Sequence, residues 1–212
     1  TVTEREKLDR KGLLYLAVVY VLWGSTYLFI RIAVREGAGF PPYQMAALRV
    51  LVASGLLLGW ARLRGERLRL DRAELVLVGG SGLLLWVGGN GLVTWAEQRA
   101  ASGLAALLVA AMPIWSELIA AVLDRRLPTA RLAGSILVGF AGVGLLSWPV
   151  LRQGTSADVL SVLALLLAPL FWAGGSIWLQ RRKPDLGVRT IAGWQQLFGA
   201  GGLALMALAS RE

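Results

Sequence analysis

Within YVLWGSTYLFIR, Tyr20, Trp23, Gly24, Tyr27 and Arg31 recur at three- and four-residue spacing. On a helix that spacing puts them on one face. Such a face suits one of two tasks. Aromatics beside a glycine make a wall on which an apolar solute lies. Alternatively, the face packs against another helix while Ser25 and Thr26 bond back to their own helix carbonyls. A later run, FWAGGSIWLQR, repeats an aromatic and a hydroxyl four apart at Trp172 and Ser176, which favours the wall.

A second polar stripe is Trp86, Asn90, Thr94 and Gln98, one residue every four. The amide of Asn90 needs partners inside an apolar run, so it bonds a neighbouring helix or lines a wet cavity. Four such residues in a row favour the cavity. Glu97 sits near the end of this run and reads first as an interfacial charge.

Three further residues fall deep within apolar runs. Arg49 lies about 12 Å and Glu117 about 9 Å from the nearer end of its run, at about 1.5 Å per residue. Ionisable groups at such depth are paired or functional. Pro113 stands one turn before Glu117 and removes a helix hydrogen bond, which suits a kink or gate. The alternatives are an Arg49–Glu117 bridge or Arg49 bonded to main-chain carbonyls. If transport is coupled to protons, Glu117 is the first candidate and Glu97 the second.

Other chemistries are excluded by composition. The chain has no cysteine and no histidine. Thiolate and histidine catalysis and the usual zinc sites are therefore absent. GGSG at 79–82 has no base to make it a nucleophile elbow. No enzyme activity, cofactor or metal is expected.

The elements that position these residues follow from the apolar runs. The 212 residues are 56% hydrophobic and 17% charged. Runs of about twenty residues, enough to cross a bilayer core of about 30 Å, alternate with short basic connectors. Seven spans are expected, at 12–34, 41–61, 73–98, 102–123, 131–148, 159–180 and 189–210. The net charge of +9 raises nucleic acid as a partner. Its regular placement in connectors points to membrane orientation, with no nucleic acid, and to the lipid bilayer and a small-molecule solute as partners.

Of the 22 Lys and Arg, sixteen fall in the tail and the second, fourth and sixth connectors, and five on the other side. The positive-inside rule then puts the N-terminus in the cytoplasm of a plasma or inner membrane. A lysine-free last run and an inward N-terminus argue against a seven-helix retinal protein or receptor. Gly55 and Gly59 form a GxxxG pair, read as a close helix contact within the bundle or at a homodimer face.

Trp172 lies 149 positions after Trp23, and small residues align between 45–66 and 191–212. Five spans separate the copies, so the second enters the membrane inverted, as in many secondary transporters. Completing that copy needs about 85 more residues, so the chain reads as a truncated piece.

YVLWGSTYLFIRIAV, AALRVLVASGLLL, GNGLVTWAEQRAASGLAALLVAAMPIW and GFAGVGLL resemble the EamA-type drug/metabolite transporters, especially the YedA-like group. The resemblance runs from Gly12 to the end. LDRRLPT at 123–129 departs from the Gly-Glu-Arg-like turn of that family. The resemblance implies ten spans in two inverted five-helix repeats, both termini cytoplasmic, and movement of small metabolites, often outward. Together with the polar stripes, it implies a midplane cavity lined by the first, third, fourth and sixth spans.

The expectation is an all-α integral membrane protein. Its polytopic bundle comprises one five-helix repeat, 12–148, and the first two helices of an inverted second, 159–212. Its function is transport of metabolites or drugs by alternating access. The other reading is a structural or helper subunit with no transport of its own.

Overall fold

The computed structural model describes residues 10–37, 39–126, 130–153 and 156–212. All regular structure among them is helical. In chain order the helices are α1 (Arg10–Val34), α2 (Pro42–Leu63), α3 (Arg72–Leu83), a π-helical segment (Leu84–Gly91), α4 (Leu92–Ala96), α5 (Ser102–Val109), α6 (Met112–Leu123), α7 (Ala130–Gln153), α8 (Ser156–Arg182) and α9 (Val188–Ala209).

Six segments are long and apolar enough to cross a membrane: Gly12–Val34, Pro42–Leu63, Arg72–Ala96, Ser102–Leu123, Asp158–Arg182 and Val188–Ala209. Lipid offers no hydrogen bonds, so backbone in such runs satisfies itself as helix. The result is a polytopic helix bundle. The span expected at 131–148 falls within α7, whose apolar part among the described residues is the shorter Ala133–Gly142.

Local chemistry sets the ends. Pro42 opens α2, where a missing N–H costs nothing. The amides of Tyr43 and Gln44 donate to Oε2 of Glu212 at 2.8 and 3.1 Å, a carboxylate at the positive end of the helix dipole. At α3, Asp71 and Glu74 form a capping box. Glu74 also pairs with Arg67, which donates to the carbonyl of Asp185 at 3.0 Å. The hydrogen bond to Glu74 holds the Arg67 guanidinium above its ordinary range.

The largest interface joins α2 and α9. Tyr43, at the start of α2, meets Glu212 just past α9. Farther along α2, Ser54 donates to the carbonyl of Gly193 at 2.8 Å, near the start of α9. The two helices therefore run antiparallel, with Ala46, Val50, Ala200 and Leu203 buried between them. Helix α9 runs with α3: Gly82 lies against Gln195, and Gly91 against Leu203. Helix α8 runs against the same span, with Gly80 beside Trp178 and Gly88 beside Phe171.

Gly82 is where close approach requires glycine. A Cβ there would stand 2.6 Å from the carbonyl oxygen of Gln195, a main-chain atom that cannot swing away. Gly55 and Gly59 differ, because a Cβ at either would meet nothing within 4 Å. The close contact within the bundle expected of that pair is not made among the described residues.

The span at 102–123 is broken between α5 and α6. Helix α5 stops at Val109, the residue whose carbonyl Pro113 cannot satisfy, and Pro113 takes the second position of α6.

Candidate functional site

A cavity of about 520 Å³ lies among α1, α2, the π segment, α4, α6, α8 and α9. That size suits a small-molecule ligand. Its walls are mostly apolar, and four aromatics stand on them: Trp23 and Tyr27 from α1, Trp86 from the π segment and Trp172 from α8. Thr26, Arg49, Asn90, Ser176 and Gln196 supply polar groups.

Local packing explains how Trp172 reaches the cavity. It crosses the π segment at Gly89, where a Cβ would come within 2.6 Å of the indole nitrogen. The π segment is itself notable at this spot. Its i→i+5 bonds widen the helix, a feature often found at functional sites.

The structure brings Trp23, Tyr27, Trp86, Asn90, Trp172 and Ser176 onto one surface. Thr94 and Gln98 are not on it. The hydroxyl of Thr94 is buried and donates to the carbonyl of Asn90 at 2.8 Å. Gln98 lies past the end of α4 in a turn and donates to the carbonyl of Trp95 at 3.1 Å. The four-residue stripe stops because the helix changes its pitch and then ends. Ser25 and Thr26 bond back to the carbonyl of Leu22, at 3.0 and 2.8 Å. Gly24 has open space beside it.

Arg49 lines the cavity, and its guanidinium donates to Oδ1 of Asn90. The bridge to Glu117 weighed from sequence is not formed. Glu117 is exposed on α6, which packs against α8, whereas Arg49 belongs to the α2–α9 layer. Pro113 is exposed as well, and neither it nor Glu117 lines the cavity.

Glu97 occupies a different place from the interfacial one its position suggests. It is 0% exposed, and neither carboxylate oxygen has a hydrogen-bond partner among the described residues. Its charge interacts with those of Arg31 and Arg49. The side chain of Arg31 donates to the carbonyl of Glu97 at 2.7 Å and also to that of Gln98. This contact ties the end of α1 to the end of α4.

Met112 and Gln196 are among the lining residues that escaped the reading of the sequence. Met112 sits at the α5–α6 break. Gln196 belongs to WQQLF, where paired amides in an apolar run were the available signal. Oε1 of Gln196 is buried with no hydrogen-bond partner among the described residues. Its neighbour Gln195 instead donates to the hydroxyl of Ser81 at 2.9 Å.

Membrane-length helices around an aromatic-walled cavity define a polytopic membrane protein. The chain belongs to the EamA-like transporter family, which matches residues 10–148. It is 33% identical over 204 residues to a protein of Escherichia coli strain K12 named "Uncharacterized inner membrane transporter YedA". The match covers 96% of this chain and 63% of that protein. The YedA proteins of E. coli O6:H1 and O157:H7 match to the same extent. The chain thus spans about 63% of the length of these relatives. No solved structure matches it.

Proposed function

We propose that the protein carries small metabolites or drugs across the inner membrane, outward, by alternating access around the 520 Å³ cavity. The observation that carries this reading is the convergence of Trp23, Trp86, Asn90, Trp172 and Ser176, from three separate spans, on one membrane-embedded space. The family and the name of the YedA relatives support it.

An inverted-repeat architecture, with a first repeat at 12–148 and a second beginning at 159, is part of the same proposal. Helix directions support it. Helix α1 ends beside α4 through Arg31, so it runs with the span that α8 opposes, and α2 runs against α9. Both candidate repeat pairs, α1 with α8 and α2 with α9, therefore point in opposite directions. The N-terminus is proposed to lie in the cytoplasm, from the bias of Lys and Arg.

The test uses the lack of native cysteine. Ser176→Cys, placed on the cavity wall, should react with a small water-soluble methanethiosulfonate in reconstituted vesicles. Leu56→Cys, on an exposed apolar face, should not. Absence of reaction at position 176 from either side of the membrane would remove the solute path. A helper subunit needs no such water-accessible space.

A further inference from the structure

We propose that the cavity recognises an organic anion: a solute whose carboxylate is taken by Arg49 and whose apolar body lies among Trp23, Trp86 and Trp172. This rests on the reading of the cavity as the solute site.

The charges around the cavity point this way. Arg49 stands on the wall, and among the described residues no Asp or Glu lines that wall. Its hydrogen bond among the described residues goes to a neutral amide, Oδ1 of Asn90. A guanidinium has five N–H donors, so this bond leaves most of them unspent. The carboxyl of Glu97 acts electrostatically on Arg49 but forms no ion pair with it among the described residues. Arg31 faces Glu97 as well, and Tyr27 stands close to it.

Two guanidinium groups thus face one carboxyl. With Glu97 ionised the cluster carries one positive charge, and with Glu97 neutral it carries two. In either state at least one cation of the cluster is left without a negative partner. A half-buried cation without one is disfavoured, and a bound carboxylate supplies both the charge and paired acceptors in a plane that matches the guanidinium.

The form of the solute follows from the rest of the wall. Aromatic faces give apolar contact area at low entropic cost. A small inorganic anion would leave these faces uncovered. A cation would meet Arg49 directly, which excludes it by repulsion.

The test compares three probes of one shape and different charge: 3-phenylpropionate, 3-phenylpropionamide and 3-phenylpropylammonium. Binding to the purified chain in detergent is followed by calorimetry. The carboxylate should bind about tenfold or more tightly than the amide, and the ammonium most weakly. Arg49→Gln should cancel the carboxylate's advantage, and the amide's affinity, which reports whether the cavity is still formed, should change far less. If Arg49→Gln does not fold, Arg49→Lys carries the test, because it keeps the charge but loses the fork. The carboxylate-to-amide ratio should then fall severalfold. Equal affinity for carboxylate and amide overturns the proposal, and so does an unchanged ratio in Arg49→Gln or Arg49→Lys. If Ser176→Cys reacts and the amide protects it while the carboxylate has no advantage, the cavity stands and the anion assignment falls. No reaction at position 176 removes both.

Discussion

The guanidinium of Arg49, on α2, donates to Oδ1 of Asn90, in the π segment, and joins two polar residues 41 positions apart on the wall of one cavity. Each answers the other's problem: the buried amide of Asn90 needs a donor, and the half-buried guanidinium of Arg49 needs an acceptor. Asn90→Leu would leave Arg49 without that acceptor. It should cost about 1–3 kcal/mol of stability, with binding of 3-phenylpropionate weakened as well. Thr94→Val removes a hydroxyl that among the described residues bonds to its own helix, at the carbonyl of Asn90, and should cost less than about 1.5 kcal/mol. Unfolding in mixed micelles compares the two, and equal costs would deny the Arg49–Asn90 bond its role.

Gly82 and Gly55 should respond in opposite ways to alanine. At Gly82 the added methyl meets the carbonyl of Gln195, and α3 must part from α9. A loss of about 1–3 kcal/mol or more is expected. At Gly55 the methyl meets open space, and the gain in helix propensity should leave stability unchanged or slightly raised. Thermal midpoints of the two variants in one detergent decide the matter.

When ionised, Glu97 sets against Arg49 and Arg31 a negative charge that Gln would remove with little change of shape. At alkaline pH, where Glu97 is ionised, Glu97→Gln should raise the affinity for 3-phenylpropionate several-fold, because a charge that opposes the carboxylate near Arg49 is gone, and at lower pH the gain should shrink. The affinity for the neutral amide probe should barely move. Arg31→Ala should act on stability instead, since it breaks the bonds from α1 to the carbonyls of Glu97 and Gln98. A loss of about 1.5–3 kcal/mol is expected for these charged donors.

Orientation has its own measurement. Alkaline phosphatase fused after Ser210 should be active, and fused after Arg126 it should be inactive, because the basic connectors are expected in the cytoplasm. The opposite pattern would reverse the proposed direction of every helix.

The sequence by itself determined the membrane class and the helical runs, because length and apolarity alone decide whether a segment can cross a bilayer. It also marked out Trp23, Tyr27, Asn90, Trp172 and Ser176, since aromatic and polar residues stand out against so apolar a background. Tertiary structure decided which of these meet. Helix periodicity assumes one pitch, so it could not show that Leu84–Gly91 is π-helical or that the helix ends before Gln98. Depth along a span says nothing about which face a residue takes. Glu117 read as an acid deep in its span and Glu97 as an interfacial one, yet Glu117 is exposed and Glu97 is wholly buried beside Arg31. Arg49 could be paired with Glu117, with carbonyls or with nothing until α2 was seen against α9 and the π segment. Such choices depend on which helices pack side by side, and that is settled by contacts between residues far apart in the chain.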